Sequence, residues 1–301
     1  MRHRPLLYAD AAAWRAAEKK RVLLFGMSGL GKTQVSNMLR ATGDWFHYSV
    51  DYRIGTRYMG ELITDSFKRE AMRVPYLRQL LRTDSIYIAS NITFNNLDPL
   101  SMYLGKPGRQ DLGGLSWTEY RKRQDQHREA EISALLDTSC FIEKSEDIYG
   151  YRNFICDSGG SICEVVDPEN MEDPVLTALA KDVLLVWIED PAEHRAELAR
   201  RFDRQPKPMY YQPAFLEQAF SDYLKDNNVK ECDVHPDDFI RATFDRALAH
   251  RRPLYAAMAQ NWGVSVTASE VEGVHSAEDF DDLIASALDR ATMAGGVSVG
   301  A

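Results

Sequence analysis

The chain has 301 residues, 45% hydrophobic and 27% charged, so it is long enough and apolar enough to bury a substantial core. Its 36 basic and 45 acidic residues give a net charge of -9, which opposes long-range attraction to nucleic acids and anionic membranes. No apolar run approaches the ~20 residues that span a bilayer, and residues 1–5 lack the pattern of a secretory signal, so we expect a cytoplasmic protein.

The first predicted elements surround a phosphate-binding sequence. Residues 9–20 have the pattern of a short amphipathic helix, and residues 22–25 form an apolar strand. The P-loop pattern G-x-x-x-x-G-K-[ST] follows at residues 26–33, and residues 34–40 continue with helical periodicity. Because the motif lies between a strand and a helix, as its chemistry requires, it predicts a nucleotide site.

Each position of this motif has a chemical reason. Its glycines let successive backbone N–H groups point at phosphate oxygens, and the following helix adds the positive end of its dipole. Lys32 is expected to neutralise the β- and γ-phosphates, and the Thr33 hydroxyl to ligate Mg²⁺. The predicted nucleotide-binding residues here are Gly26, Ser28, Gly29, Leu30, Gly31, Lys32, Thr33 and Gln34.

The later strands predict a parallel sheet. One strand over residues 46–50 ends at Asp51, and another over residues 153–156 runs into Asp157. An apolar strand that ends in Asp is the Walker B arrangement, in which the carboxylate holds Mg²⁺ directly or through water. Strands over residues 183–188 and 263–267 complete a set of five, separated by helical stretches and without hairpin signals. We therefore predict an α/β P-loop NTPase fold: a doubly wound five-stranded parallel sheet flanked by helices, with a helical insertion and lid.

The order of these features resembles that of the shikimate kinase-like P-loop kinases. The shared features are the P-loop, the strand before Asp51, the Asp-Ser-Gly-Gly stretch at residues 157–160, the strand over 183–188 and the Arg-Pro-Leu-Tyr stretch that begins at Arg252. They extend over about half of the chain. The resemblance implies a small-molecule kinase that uses ATP.

The resemblance also implies roles outside the P-loop. Asp51 would bind and orient, or deprotonate, the acceptor hydroxyl, and Arg121 would grip an anionic substrate. Gly159 and Gly160 would form a turn that faces the substrate. Asp157 would share the Mg²⁺ with the P-loop threonine.

The resemblance further implies a mobile lid, predicted over residues 195–238. Arg200 or Arg201 would stack on the adenine, and Arg204 would reach the transferring phosphate. The aromatic residues between 206 and 238 are interpreted as the core of a helical lid subdomain.

The chain departs from the family pattern at three points. Ser49 stands where the family usually has a second acid, which shifts the expected support of Mg²⁺ to Asp157. The glycine turn is Ser-Gly-Gly-Ser instead of three glycines. About sixty residues separate the Asp51 region from Arg121, many more than in shikimate kinase, so shikimate is not the expected substrate.

Residues 55–116 are predicted to be an insertion on the substrate side of one domain that spans residues 1–301. Within it, residues 63–81 show helical spacing and residues 86–89 suggest a strand. Residues 105–114 are rich in turn formers and are either a substrate-closing loop or a plain surface connection. Arg53 and Arg57, which follow Asp51, either face the acceptor pocket and favour an anionic substrate or lie solvated on a helix.

Beyond the insertion, helices are predicted over residues 117–136 and 277–293, and a frayed tail over 294–301. The charges on the helix over 117–136 are interpreted as a solvated face, apart from Arg121. The four cysteines suggest neither a disulfide framework nor a zinc site, because none of them forms a CxxC pair.

We therefore expect an ATP- and Mg²⁺-dependent phosphotransferase that acts on a small, anionic, hydroxyl-bearing metabolite. ATP is preferred to GTP because no Asn/Thr-Lys-x-Asp stretch follows a strand. One alternative is a regulatory ATPase, a nucleotide switch that binds a protein partner through its insertion. Another is a kinase of nucleic-acid ends, which the net charge of -9 disfavours. The acceptor, the pathway and the oligomeric state stay open.

Overall fold

The chain falls into two compact units in the computed structural model, which describes residues 5–190, 200, 202–204 and 206–295. The first unit is formed by Met1–Val50, Leu135–Arg204 and Asp245–Ala301, and the second by Asp51–Ala134 and Gln205–Phe244. The first unit contains the sheet, and the second is mainly helical.

The strands of the described residues are β1 (Arg21–Phe25), β2 (Trp45–Ser49), β3 (Asn153–Asp157), β4 (Leu184–Glu189) and β5 (Gly263–Thr267). The α-helices are α1 (Ala11–Ala16), α2 (Lys32–Ala41), α3 (Val50–Arg53), α4 (Gly60–Ala71), α5 (Pro75–Arg82), α6 (Asp98–Leu104), α7 (Trp117–Leu136), α8 (Thr138–Asp147), α9 (Ile162–Val165), α10 (Pro174–Asp182), α11 (Pro213–Asn227), α12 (Pro236–Trp262), α13 (Ala268–Glu272) and α14 (Ala277–Gly295). A π-helix covers Ile54–Tyr58, and 3-10 turns cover Gln110–Leu112 and Glu231–Asp233.

The five strands form one parallel sheet in the order β2-β3-β1-β4-β5. In the register, Leu24 of β1 lies between Asp157 of β3 and Val186 of β4. The chain leaves β1 toward β2 on one side and leaves β4 toward β5 on the other. Adjacent strands whose connections diverge in this way open a crevice at their carboxyl ends, where doubly wound sheets bind ligands.

The apolar pattern of β1 and β4 agrees with their central place in the sheet. Four of the five residues of β1 and five of the six residues of β4 are buried, as expected for strands that helices cover on both faces. The edge strand β5 instead exposes Ser265 and Thr267. The predicted α/β architecture, with a five-stranded parallel sheet flanked by helices, is therefore confirmed.

Two predictions in the second unit are wrong in detail. The helix predicted over residues 63–81 is two helices, α4 and α5, because the residue before Pro75 is driven out of the helical region; Val74 is extended. The strand predicted over residues 86–89 is irregular backbone. A short apolar run forms a strand only where a partner strand accepts its hydrogen bonds.

The interpretation of the charges on α7 as a solvated face is wrong for Glu131, which is fully buried. Gln124 and His127 of α7 are buried as well. The Gln124 amide donates to the carbonyl of Met209 and accepts from the N–H of Tyr211, so it satisfies backbone groups of the irregular segment beside it. This polar bridge is part of the core of the second unit.

The start of α3 changes the setting of Asp51. The strand predicted over residues 46–50 ends one residue earlier, because β2 ends at Ser49. Asp51 therefore lies in the first turn of α3. A carboxylate in a first helical turn is favoured by the N-terminal end of the helix dipole.

The helices predicted near the two ends of the chain differ in how well they match the structure. The helix predicted over residues 9–20 is confined to α1, which an extended Ala17 ends. Helix α14 confirms the prediction over 277–293, whereas residues 296–301 of the predicted tail lie outside the described residues. Across the described parts of the chain, none of the helices combines the length and the apolarity needed to cross a membrane.

We expect Gly263→Ala to lower the free energy of unfolding by about 1–3 kcal/mol, because a new methyl group would overpack the pairing of β4 with β5. A Cβ at Gly263 would lie 2.2 Å from the carbonyl oxygen of Leu185. Urea denaturation would measure the loss.

The matched control is Gly273→Ala, where a Cβ would meet nothing closer than 3.4 Å. The backbone of Gly273 is already helical, so we expect this variant to stay within about 1 kcal/mol of the parent. Equal stabilities of the two variants would contradict the close packing of β5 on β4.

Candidate functional site

The P-loop connects β1 to α2 at the carboxyl edge of the sheet. Gly26, its first residue, has a φ of 136°, and a Cβ there would lie 2.6 Å from the carbonyl oxygen of Ile188 in β4. Only glycine allows the chain to turn out of β1 this close to the neighbouring strand. Gly31, the last glycine of the motif, is the N-cap of α2.

Lys32 is buried over the loop that precedes it. Its ammonium donates hydrogen bonds to the carbonyl oxygens of Gly26 and Met27, each at 2.8 Å. These bonds hold a positive charge at the centre of the loop, close to the N-terminal end of α2. Both features attract a phosphate to the same place.

Thr33 and Asp157 meet across the mouth of the loop. The Thr33 hydroxyl donates to Asp157 Oδ2 at 2.6 Å, and Asp157 is the last residue of β3. The structure therefore brings together the two residues that the sequence predicted as metal ligands. Mg²⁺ prefers oxygen ligands and is commonly held by one or two protein groups together with substrate phosphates, so this pair fits the ion.

His47 is a neighbour of Asp157 that the sequence analysis missed. It lies in β2 with a fully buried side chain, and its Nε2 is 3.8 Å from Asp157 Oδ2. Finding it from sequence would require knowing that β2 pairs with β3. The parallel ladder aligns His47 with Ile155 and Ser49 with Asp157.

The glycine turn after β3 packs directly on the P-loop. A Cβ at Gly160 would lie 3.6 Å from the backbone nitrogen of Ser28. The Tyr255 hydroxyl donates to the carbonyl of Gly160. The hydroxyl oxygen of Tyr255 also lies 3.7 Å from the sulfur of Met27. Burial raises the pKa of Tyr255 well above its ordinary value, so the hydroxyl is neutral and remains a donor.

A buried ion pair lies behind this turn. Arg251 of α12 and Glu164 of α9 are both almost fully buried and share a hydrogen bond through the Arg251 Nε. Burial alone would lower the pKa of Arg251, but the Glu164 carboxylate raises it above its ordinary value. Arg251 also packs against the glycine turn. A Cβ added to Gly160 would lie 3.7 Å from Arg251 Nη1.

A cavity of about 370 Å³ lies beside the P-loop, between α2 and the segment that follows β5. This volume lies in the range of about 300–1,000 Å³ typical of small-molecule sites. The sequence analysis included its P-loop side but missed the far wall, which the segment after β5 supplies. The lining residues are Gly29, Leu30, Gly31, Gln34, Val35, Met38, Ala268, Val271, Glu272, Val274 and His275.

Four of the predicted acceptor residues, Asp51, Arg53, Arg57 and Arg121, lie in the second unit, whereas Gly159 and Gly160 lie in the first. The Arg53 guanidinium lies over the ring of Tyr58 at 5.6 Å, and Arg57 is exposed. Arg121 is about half exposed, and its Nε is 2.8 Å from a carboxylate oxygen of Glu217. Their roles toward an acceptor, like that of Asp51, stay predictions.

The predicted lid arginines are only partly described. Arg200 and Arg204 are exposed, whereas Arg201 lies outside the described residues. Their roles at the adenine and at the phosphate also stay predictions.

Comparison with known proteins gives little further guidance. No protein-family model matches the chain, and neither does any curated protein. Among solved structures, a shikimate kinase from Bacteroides thetaiotaomicron, determined at 1.7 Å resolution, is similar over 92% of this chain and 99% of its own. The identity is 16% and the TM-score is 0.35. A similarity this low assigns no activity, so the function must be inferred from the chain's own residues.

We expect Arg251→Met to lower the free energy of unfolding by about 3–5 kcal/mol, because it leaves the Glu164 carboxylate buried without its cation. The double variant Arg251→Met, Glu164→Met should recover most of this loss, since both charges are then removed. Chemical denaturation of the three proteins would measure both effects.

Arg252→Met is the matched control. Arg252 is the next residue of α12, but its side chain is 41% exposed and its Nη2 lies 3.6 Å from Glu189. An exposed pair of this kind contributes at most about 1 kcal/mol. If Arg252→Met lowered the free energy of unfolding as much as Arg251→Met, burial of the Arg251–Glu164 pair would not explain the loss.

Proposed function

We propose that the protein is an ATP- and Mg²⁺-dependent phosphotransferase that acts on a small hydroxyl-bearing metabolite. The observation that carries the proposal is the contact of Thr33 with Asp157 beside a P-loop whose lysine is held over the loop. A phosphate cradle and a pair of hard oxygen ligands at one sheet edge are what binding a Mg²⁺-nucleotide requires.

The P-loop residues would bind the phosphates. Backbone N–H groups from Gly29 to Lys32 and the N-terminal end of α2 supply fixed positive dipoles, and the Lys32 ammonium supplies a full charge. Because the two carbonyl bonds of Lys32 already restrict its position, little ordering remains for nucleotide binding. These groups would stabilise the negative charge that shifts during transfer.

Thr33 and Asp157 would hold the metal ion. When bound, Mg²⁺ neutralises charge on the β- and γ-phosphate oxygens. The packing of the Gly160 turn against the P-loop supports this arrangement, because it limits how far β3 and the loop can separate. His47 sits behind Asp157 and would restrict its orientation.

The cavity of about 370 Å³ would receive the nucleoside. Its walls combine apolar side chains, such as Met38 and Val271, with the polar groups of Gln34, Glu272 and His275. Apolar walls with a few polar groups are typical of sites that bind an aromatic base and a sugar. The cavity includes P-loop residues, so a nucleoside there would remain connected to phosphates on the loop.

The acceptor side of the proposal rests on the sequence resemblance. The acceptor oxygen would form a bond to the γ-phosphorus while the bond from that phosphorus to the leaving ADP oxygen breaks, and Asp51 would receive the hydroxyl proton. Arg53, Arg57 and Arg121 would favour an anionic acceptor, and Gly159 and Gly160 would contact it. Arg204, with Arg200 or Arg201, would complete the lid.

The destination of the γ-phosphate tests the reaction class. Phosphorus NMR of Mg²⁺-ATP with the purified protein, with and without a pooled metabolite extract, should show a new phosphoester only when the extract is present. Inorganic phosphate alone, formed at the same rate in both samples, would overturn the kinase and favour the nucleotide switch.

We expect Lys32→Met to lower turnover by at least about 100-fold, because one of the fixed positive groups at the phosphates is lost. Circular dichroism should remain that of the parent. The control is Lys181→Met, which removes an exposed lysine in the last turn of α10 and should leave turnover unchanged. Full activity in Lys32→Met would remove the P-loop from the mechanism.

We expect Asp51→Asn to lower phosphoester formation by about 100-fold or more, because an amide cannot accept the hydroxyl proton. Background hydrolysis of ATP by water should change little. The control is Asp125→Asn, which removes an exposed carboxylate of α7. Loss of hydrolysis together with transfer in Asp51→Asn would contradict an acceptor-specific role.

A further inference from the structure

Two polar side chains of the edge strand β2 lie on the same face of the sheet as Asp157. The parallel ladder aligns Ser49 with Asp157, and His47 lies two residues before Ser49. His47 Nε2 is 3.8 Å from Asp157 Oδ2, the same oxygen that accepts the hydrogen bond of the Thr33 hydroxyl. A residue of α2 and a residue of β2 therefore converge on one carboxylate oxygen.

The His47 ring is confined to this position. Its side chain has 0% exposure, and the side chain of Asp157 is 8% exposed. Because protein interiors are close-packed, the ring limits how far the carboxylate can turn away from Thr33. A buried imidazole carries a desolvation cost that an apolar side chain of the same volume would avoid. The presence of a polar ring here therefore indicates a role toward Asp157.

The chemistry of histidine suits a carboxylate that binds a metal ion. Such a carboxylate needs neighbours that hold it in place without cancelling its negative charge. A neutral imidazole with its proton on Nε2 is a donor of this kind, and so is a hydroxyl group. A lysine or arginine at position 47 would hold the carboxylate as well, but its positive charge would repel Mg²⁺.

We propose that His47, as a neutral donor, is a positioning residue that sets the affinity of the site for its metal ion. This inference rests on the proposed function, in which Asp157 and Thr33 hold Mg²⁺. The distance of 3.8 Å is longer than a hydrogen bond, so His47 orients Asp157 through its N–H dipole and through packing. Groups that orient a metal ligand in this way typically contribute about 10–100-fold in metal affinity.

Binding of Mn²⁺ to the full chain in the presence of ADP tests the proposal. Mn²⁺ prefers the same oxygen ligands as Mg²⁺, and its free form is measured by electron paramagnetic resonance against a protein-free sample of ADP. His47→Met removes the donor but still fills the space, and should raise the Kd for Mn²⁺ by about 10–100-fold. His47→Gln keeps a neutral N–H donor and should stay within about threefold of the parent.

Three controls separate the metal site from general damage. The affinity for ADP in EDTA should be the same in the parent and in both His47 variants, because the proposed role acts through Asp157 and the ion. Asp157→Asn should weaken Mn²⁺ binding more than His47→Met does. The matched control is His127→Met, which replaces another buried histidine beside a carboxylate, 3.6 Å from Glu131 in α7, and should leave the Kd for Mn²⁺ unchanged.

The outcomes distinguish the inference from the proposed function. Parent-like or tighter Mn²⁺ binding in His47→Met, with binding lost in Asp157→Asn, would overturn the role of His47 and leave the proposed function standing. Equal weakening in His47→Met and His47→Gln would overturn the role of the donor. His47→Leu serves the same comparison if His47→Met does not fold. A parent protein that binds no Mn²⁺ with ADP would overturn the metal site of the proposed function and this inference with it.

Discussion

The buried pair of Arg251 and Glu164 is the constraint on which the candidate site depends. Two charges removed from water are tolerated only when they neutralise each other at close range. The pair therefore fixes α12 against α9, at the end of the turn that follows β3. One turn farther along α12, Tyr255 bonds the Gly160 carbonyl and touches Met27, so the helix that carries the arginine also locks the glycine turn onto the P-loop.

The polar contacts of the first unit follow from this arrangement. With the P-loop held against the turn after β3, the Thr33 hydroxyl and the Asp157 carboxylate lie within hydrogen-bond distance. Gly26 fixes the other side of the loop, because it passes the carbonyl of Ile188 where no side chain fits. The site is thus preorganised by packing on β3 and β4, which reduces the ordering that a bound triphosphate would require.

Sequence reasoning predicted the sheet and the Thr33–Asp157 pair because both depend on local signals: continuous apolar strands and a motif with fixed chemistry. It could not predict the role of Arg251. Arg251 and Arg252 are identical neighbours, and a helix turns about 100° per residue, so only the packing of α12 decides which one is buried. The strand predicted over residues 86–89 failed for a related reason, since a strand requires a partner that sequence alone does not show.

Chain order connects Asp51, the proposed acceptor residue, to α4. Asp51 lies in α3, which runs directly into the π-helix Ile54–Tyr58, and α4 begins at Gly60. The π-helix is closed by the bond from the N–H of Met59 to the carbonyl of Ile54 at 2.8 Å. Wide turns of this kind are less favourable than α-helix and occur often at functional sites. The turn between α3 and α4 therefore links the position of Asp51 to the packing of α4, whose Ile63 is fully buried.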